Sequence, residues 1–333
     1  METIYAALRH ARERLAPVSE SAETDVQVLL CDVLNVDRAY LFTHPEHLLT
    51  EDQVATYGMF VERCAAGEPL PYVRGKQAWY DREFVISPAV LIPRPETELL
   101  LEQALQWSAA RPSGQAIDVG MGSGILAVTF AAHRPTWDVI ALDASPAALA
   151  IAQQNAARHG VSERVAFYES DLLSFVLGSE FSVHSSQFTT QYAIQSTEPR
   201  TQNPQLRTEH SLLIMANLPY IPTVDLPALR VSQHEPMLAL DGGADGLMLI
   251  RRLLVQVGEV WSKGDVNGSE HHESRPYSTP QIPRNMLVLL EIEARQGAAV
   301  AALAAQHIPA ASVDVLRDYA GHDRIVRIEV SAR

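Results

Sequence analysis

The sequence predicts an α/β protein in which a small helical domain precedes a doubly wound parallel sheet. Two observations predict this class. Apolar residues recur at three- and four-residue steps in the first 66 residues, as at Ile4, Ala7 and Leu8, which is typical of amphipathic helices. From Gln115 onward, short apolar strands alternate with helical segments, which is typical of a parallel sheet with helices on both faces.

The composition agrees with a folded protein of one large domain or two. The 333 residues are 47% hydrophobic and 20% charged, so the chain can bury a large core. A formal net charge of −14 argues against a protein that mainly grips phosphate backbones. The first residues mix charges with apolar side chains, which argues against a signal peptide, and no apolar run approaches the roughly 18 residues of a membrane span. We therefore expect a soluble cytoplasmic protein without membrane binding.

The elements follow in chain order. Residues 1–71 are predicted to form the helical domain, and residues 72–93 a hairpin-like connector because aromatic and β-branched side chains stand among polar ones. Residues 94–333 are predicted to form the sheet domain. Its predicted strands are 116–119, 138–142, 164–168, 212–216, 286–292 and 324–330, and its predicted helices are 96–107, 124–132 and 146–159. Two polar segments without apolar periodicity, about 178–210 and 262–285, are predicted insertions.

A glycine-rich turn connects the first strand of the sheet to its helix. It consists of Gly120, Met121, Gly122, Ser123 and Gly124. Alternate glycines let the backbone approach a ligand closely, and the helix that follows offers free N–H groups at its N-terminus. Asp143 ends the next strand, where a carboxylate can accept hydrogen bonds from both hydroxyls of a ribose. The pattern predicts an adenosine-containing ligand; a tight turn with a helix-capping Asp is the alternative.

The third strand is followed by a second acidic candidate. Asp171 could accept an amino hydrogen of adenine at the carboxyl edge of the sheet, with Leu172 packing against the ring. On spacing alone, a solvated loop aspartate fits equally well.

The segment 217–221 directly follows an apolar strand. The side-chain oxygen of Asn217 and a neighbouring backbone carbonyl can accept both hydrogens of a planar –NH2 group. Pro219 removes a competing donor and fixes the loop, and the ring of Tyr220 offers a stacking face. This set recognises an amino group on an sp2 carbon and makes its lone pair available. An ordinary Asn-x-Pro turn after a strand is the alternative.

The cysteines and histidines give weaker signals. Cys31 and Cys64 each stand in an apolar helical stretch and are predicted to be buried, reduced thiols. His271 and His272 lie in the second insertion without a cysteine or carboxylate at metal-binding spacing, so no metal site is predicted.

Several motifs resemble those of the release-factor glutamine methyltransferases, the HemK/PrmC family. They are Gly-Glu-Pro-Leu-Pro-Tyr-Val-Arg-Gly at 67–75, Leu-Ile-Pro-Arg-Pro-Glu-Thr-Glu at 91–98, the glycine loop, segment 217–221, His-Glu-Pro at 234–236, Leu-Asp-Gly-Gly-Ala-Asp-Gly-Leu at 240–247 and Arg-Asp-Tyr-Ala-Gly-His-Asp-Arg at 317–324. The resemblance covers nearly the whole chain. The Pro-Arg-Pro-Glu-Thr-Glu run is far more specific than the glycine loop, which most class I methyltransferases share.

The resemblance implies a Rossmann-like class I methyltransferase sheet, an N-terminal domain that docks the protein substrate, and S-adenosylmethionine as cofactor. The implied reaction methylates the side-chain amide nitrogen of the glutamine in the Gly-Gly-Gln motif of class I peptide chain release factors. By carry-over, the cofactor is held by Gly120, Met121, Gly122, Ser123, Gly124, Asp143, Asp171, Leu172 and Asn217. The substrate amide is held by Asn217, Leu218, Pro219 and Tyr220, of which Asn217, Pro219 and Tyr220 are the catalytic set.

Leu218 departs from the family pattern, which usually reads Asn-Pro-Pro-Tyr. Asn-Leu-Pro-Tyr is also the form found in enzymes that methylate the adenine amino group of RNA, so an adenine-amino nucleic-acid methyltransferase is one alternative. A non-catalytic S-adenosylmethionine-binding module is another. The acidic charge and the absence of a Lys/Arg-rich stripe argue against the first, and the intact Asn217, Pro219 and Tyr220 argue against the second. We expect a monomer that does not bind nucleic acid directly.

Overall fold

The structure, a computed structural model, describes residues 2–178, 211–263 and 285–331. The predicted insertions, with His271 and His272, therefore lie outside the described residues except at their ends. Within the described residues, no helix is both long and apolar enough to cross a membrane. The chain separates into two units, Met1–Ala78 with Glu83–Pro88 and Trp79–Arg82 with Ala89–Arg333.

The first unit is helical, as the apolar periodicity predicts. Its elements are β1 (Glu2–Thr3), α1 (Ile4–Leu15), α2 (Ala22–Leu34), α3 (Arg38–Thr43), β2 (Leu48–Leu49), α4 (Glu51–Ala65) and α5 (Leu70–Arg74), with β1 and β2 antiparallel. Its core includes Ile4, Leu29 and Leu30, each fully buried. Residues 72–74, at the start of the predicted connector, form the end of α5; the hairpin itself is β3 (Lys76–Trp79) with β4 (Arg82–Val85).

The two cysteines of this unit differ from the prediction in their exposure. Cys31 and Cys64 are free thiols, but each is only half-buried, so the prediction of full burial is wrong. In α2 the fully buried pair Leu29 and Leu30 faces the core, and Cys31 packs at the edge of that cluster. Burial raises the pKa of the Cys64 thiol to about 11, so it stays protonated at neutral pH.

The second unit contains a seven-stranded sheet flanked by helices, which confirms the predicted Rossmann-like class. Its strands are β5 (Gly114–Val119), β6 (Trp137–Asp143), β7 (Val165–Glu169), β8 (Ser211–Ala216), β9 (Asn285–Glu291), β10 (Ser312–Arg317) and β11 (Asp323–Ser331), in the order β10-β11-β9-β8-β5-β6-β7. Its helices are α6 (Thr97–Ala109), α7 (Ile125–His133), α8 (Pro146–Arg158), α9 (Ser174–Leu177), α10 (Met248–Lys263) and α11 (Gly297–His307), and short 3-10 turns lie at Ser162–Arg164, Leu226–Ala228, Arg230–Gln233 and Met237–Ala239.

The sheet differs from the sequence prediction in two respects. It is not wholly parallel, because β11 runs antiparallel to both β9 and β10. The short turn between β10 and β11 allows only an antiparallel return. Four described helices and strands of this unit, α9, α10, α11 and β10, also have no counterpart among the predicted ones, and α10 extends through Ser262 into the predicted second insertion.

The strand order places the crevice of the sheet at β5. From β5 the chain proceeds to β6 and β7 on one side, whereas β8 and β9 lie on the other. Ligands bind at such a reversal, outside the carboxyl ends of the strands. Val119 is the register partner of Ala216, so Gly120 and Asn217 begin the two loops that flank the crevice. Both strands are buried along their whole length.

Candidate active site

The glycine loop leaves open space at its centre. Gly122 has a φ of 55° and no atom within 4 Å of where a Cβ would stand. At Gly120 a Cβ would come 2.9 Å from Leu218 Cδ2, and at Gly124 it would come 3.0 Å from the Cβ of Ala152. The outer glycines therefore allow close packing, whereas Gly122 keeps room for a ligand.

Asp143 holds this loop in place. Its Oδ2 accepts a hydrogen bond from the Gly122 N–H at 2.9 Å, and its Oδ1 accepts one from the Ser145 N–H at 2.8 Å. Burial raises the pKa of Asp143, and the backbone donors oppose that rise. The Ala144 N–H is a third backbone donor to this carboxylate. A carboxylate offers about four lone-pair sites, so acceptor capacity for a ribose hydroxyl remains.

A cavity of about 560 Å³ opens at the crevice. The predicted residues that line it are Gly120, Met121, Gly122, Ser123, Asp143, Asp171, Leu172, Asn217, Leu218 and Pro219. Gly124 and Tyr220, both within the described part of the chain, are not among its lining residues. Gly124 packs against α8 instead. The structure thus brings together ten of the twelve predicted residues around one cavity.

Tyr220 is half-buried and directly follows Pro219, which lines the cavity. Burial raises the pKa of its phenol to about 12, and the nearby Glu291 carboxylate adds to the rise. Its backbone carbonyl accepts a hydrogen bond from the Gln296 side chain at 3.1 Å. A Cβ at Gly246 would come 2.3 Å from that carbonyl, so this glycine lets the 240–247 loop pack against the 217–221 loop. Stacking of Tyr220 on a substrate stays a prediction.

Asn217 belongs to a hydrogen-bond network beneath the cavity. Its Nδ2 donates to Thr97 Oγ1 at 3.0 Å, and hydrogen bonding from both side chains lowers the pKa of the Glu291 carboxyl group, whose Oε2 is buried with no partner among the described residues. Glu291 is 1% exposed, and burial raises its pKa to about 7. The Oδ1 atom of Asn217 has no donor among the described residues, so it can accept a hydrogen from a ligand.

Sequence reasoning missed two buried carboxyl groups at this site. Asp118 in β5 lines the cavity; its Oδ2 accepts from the Ala127 N–H at 2.9 Å, and its Oδ1 is buried without a partner. Burial raises the pKa of Asp118 to about 7. Glu291 ends β9 beside the start of the Asn217 loop. The available signal was the same in both cases, namely one acidic residue within an otherwise apolar strand.

The Pro-Arg-Pro segment is anchored by the His-Glu-Pro motif. Glu235 is buried and accepts a hydrogen bond from the Ile92 N–H at 3.1 Å and another from Arg94 Nη2. The Arg94 carbonyl accepts from Trp79 Nε1 at 2.8 Å. These contacts fix the start of α6, whose first residue, Thr97, reaches Asn217.

Asp171 forms an ion pair with Arg252 through one of its two carboxylate oxygens. Its Oδ2 accepts from Arg252 Nη2 of α10, and both residues line the cavity. Leu172 has a φ of 54° and lies in the sheet core cluster. One carboxylate oxygen of Asp171 is therefore engaged, and its contact with an adenine amino group stays a prediction.

Comparison with known proteins agrees with these motifs. Residues 6–75 match the PrmC N-terminal domain family, and residues 95–183 match the Methyltransferase small domain family. The release factor glutamine methyltransferase of Koribacter versatilis (strain Ellin345) is 39% identical over 255 residues, which are 76% of this chain and 79% of that protein. This chain belongs to the release factor glutamine methyltransferase family, as the motifs predict.

Two further relatives of the same name span nearly the full length. Those of Nitratidesulfovibrio vulgaris (strain Hildenborough) and Moorella thermoacetica (strain ATCC 39073) are 32% and 33% identical, each over 97% of this chain and over 94% and 96% of their own lengths. The similarity therefore extends over both units of the chain.

The cofactor of this methyltransferase family is S-adenosylmethionine, and the cavity residues fit it. Four acidic side chains, Asp118, Asp143, Asp171 and Asp241, line a cavity whose walls are otherwise largely apolar. Such a lining suits a ligand with ribose hydroxyls, an amino group and a sulfonium charge. The open backbone at Gly122 and the orphaned Oδ1 of Asp118 leave hydrogen-bonding capacity for it.

Proposed function

We propose that this protein methylates the side-chain amide nitrogen of the glutamine in the Gly-Gly-Gln motif of class I peptide chain release factors. The observation that carries the proposal is the Oδ1 of Asn217, which has no donor among the described residues and stands at the carboxyl end of β8 beside the glycine loop. An acceptor there can bind a planar –NH2 group next to the cofactor. The names of the relatives identify the glutamine of a release factor as the group that those proteins modify.

S-adenosylmethionine supplies an electrophilic methyl group on its sulfonium. An amide nitrogen is a poor nucleophile, so the residues of the chain must position it and localise its lone pair. Asn217 Oδ1 and a backbone carbonyl of the loop accept the two amide hydrogens, Pro219 offers no competing N–H, and Tyr220 packs against the amide plane. The apolar walls exclude water from the reacting atoms. After transfer, the methylated nitrogen releases one of its two original hydrogens as a proton to solvent, so no general base is needed for the transfer itself.

We also propose which domain binds the release factor, where the protein acts and in which oligomeric state. The helical unit, which matches the PrmC N-terminal domain family over residues 6–75, docks the release factor. We assign residues 1–71 to this docking domain, 72–93 to the connector and 94–333 to catalysis. The protein acts in the cytoplasm as a monomer and does not bind nucleic acid directly.

The test is transfer of labelled methyl groups from S-adenosylmethionine to a release factor or to RNA, with the modified residue located by mass spectrometry. We expect one label, on the Gly-Gly-Gln glutamine, and none on a release factor in which that glutamine is replaced by alanine. Label on RNA alone would contradict the proposal and support the adenine-amino alternative. Cofactor binding with no methyl transfer to either would support a binding module.

The Asn217→Ala variant tests the residue on which the proposal rests. Removal of one preorganised hydrogen-bond partner of a reacting group typically slows turnover by roughly 100- to 1000-fold. We expect a loss of kcat in that range at saturating S-adenosylmethionine, while the melting temperature stays near that of the wild type; the Kd for S-adenosylhomocysteine is measured to set the saturating concentration. Turnover within a few-fold of the wild-type rate would show that Asn217 does not hold the amide.

A further inference from the structure

Three side chains from three separate elements meet beneath the substrate end of the cavity. Thr97 is the first residue of α6, Asn217 follows β8, and Glu291 is the last residue of β9. Asn217 Nδ2 donates to Thr97 Oγ1, and both side chains interact with the buried Glu291 carboxyl group, whose Oε2 has no hydrogen-bond partner among the described residues. Glu291 is buried and does not line the cavity. It can therefore reach a ligand only through the other two.

This arrangement selects one of the two orientations of the Asn217 amide. An ionised carboxylate only accepts hydrogen bonds. If the amide were flipped, its Oδ1 would face the Glu291 carboxylate with no hydrogen between them, and its –NH2 group would face the cavity. There it would meet the –NH2 group of a substrate, and two donors cannot pair. The acceptor at Glu291 therefore keeps the acceptor of Asn217 on the cavity side.

We propose that Glu291 is a positioning residue for methyl transfer, which acts through Thr97 and Asn217 to hold Asn217 Oδ1 towards the substrate amide. The inference rests on the proposed function for the nature of that substrate. The orientation of the Asn217 amide, however, is a property of the protein alone and can be observed without turnover.

The charge state of Glu291 controls this orientation. Burial raises its pKa to about 7, the Thr97 hydrogen bond and the Arg324 guanidinium oppose the rise, and Glu96 adds to it. Arg324 on β11 is itself paired with Asp318 at 3.1 Å, and the Tyr220 phenol also faces Glu291. A protonated Glu291 would be a donor as well as an acceptor. We therefore expect kcat to fall as the pH drops below about 7.

The kinetic test uses Glu291→Gln and Thr97→Val, with Thr129→Val as the matched control. Thr129 is fully buried in α7 and its hydroxyl has no hydrogen-bond partner in the part of the chain that the structure describes, so this control makes the same change outside the network. We expect kcat to fall at least tenfold in the first two variants and less than twofold in the control. The KM for the acceptor and the Kd for S-adenosylhomocysteine should stay within threefold of wild type, and Glu291→Gln should lose the pH dependence near 7.

A double-mutant cycle separates positioning from a general structural role. If Glu291 acts through Asn217, Glu291→Gln added to Asn217→Ala should slow turnover by less than a further twofold. An equal tenfold loss in both backgrounds, or a wild-type kcat in Glu291→Gln alone, would overturn the inference. The relative rates are measured on whichever acceptor the wild type methylates, so failure of the release factor as substrate would count against the proposed function only.

NMR spectroscopy tests the link between Glu291 and the Asn217 amide without enzymatic turnover. In protein with ¹⁵N-labelled asparagine, the Asn217 side-chain resonances are identified by their loss in Asn217→Ala. They should shift with pH around 7 in the wild type and lose that shift in Glu291→Gln. Resonances that titrate identically in both proteins would show that Glu291 does not control the Asn217 amide, even if no acceptor is methylated.

Discussion

Replacement of Gly122 by alanine should weaken cofactor binding as well as the fold, whereas the same change at a comparable glycine outside the cavity should weaken the fold alone. A side chain at a φ of 55° costs about 1–2 kcal/mol of stability. Nothing in the described part of the chain stands within 4 Å of the new Cβ, so these residues impose no further steric cost. A bound ligand that crosses Gly122 must instead accommodate a methyl group in a filled site, which costs about 1–3 kcal/mol. The Kd should rise by roughly 5- to 150-fold.

The assay is calorimetric titration with S-adenosylhomocysteine, together with urea unfolding of the ligand-free protein. Gly160→Ala is the matched control, because Gly160 in the same unit has a φ of 69° and also has no atom within 4 Å of its Cβ position, but it does not line the cavity. Both variants should lose similar free energy of unfolding, and only Gly122→Ala should lose affinity. Equal Kd values for the two variants would refute the placement of the ligand over the glycine loop.

Three further predictions concern stability and the loop around Asn217. The pKa of Asp118 is about 7 in the folded state against an ordinary value of 3.8. Protonated Asp118 therefore stabilises the fold at low pH, and this contribution is lost as the pH rises from about 4 to 7. The free energy of unfolding should fall by up to about 4 kcal/mol over that range. Asp118→Asn should flatten the decline of melting temperature over that range, and parallel curves would contradict this. Gly246→Ala should reduce both kcat and melting temperature because its Cβ would stand 2.3 Å from the Tyr220 carbonyl; unchanged values of both would contradict the packing argument. Leu218→Pro restores the usual family motif, and kcat on a release factor should stay within threefold of the wild-type value. The Leu218 side chain is only 3% exposed, so its loss should lower the free energy of unfolding by about 1–3 kcal/mol. A gain of methyl transfer to RNA, or a collapse of kcat, would show that Leu218 selects the substrate.

The predictable part of the site consists of short contiguous motifs at strand ends. The glycine loop, Asp143 and Asn217 could be predicted because turn chemistry and strand periodicity depend on residues that are neighbours in the sequence. The carboxyl ends of parallel strands necessarily meet at one edge of a sheet, so these separate motifs could be assigned to one cavity. The family motifs added the substrate and the cofactor by resemblance.

The unpredictable part consists of pairings between residues far apart in the sequence. Asp171 is engaged by Arg252 of α10, a helix that the sequence reading did not identify. Glu235 accepts a hydrogen bond from Arg94, which lies 141 residues earlier in the sequence. Asp118 and Glu291 are ordinary acidic residues in the printed sequence, and their raised pKa values arise only from burial among neighbouring strands.

The sequence by itself determined the α/β class, the glycine loop and the position of Asn217, because each depends on local periodicity or on the chemistry of one turn. Only the tertiary structure decided which way the Asn217 amide faces. That orientation follows from the strand order, which sets β9 beside β8 and so brings Glu291 under Asn217. A hydrogen-bond network across three elements exists only after the chain has folded, and no local pattern encodes it.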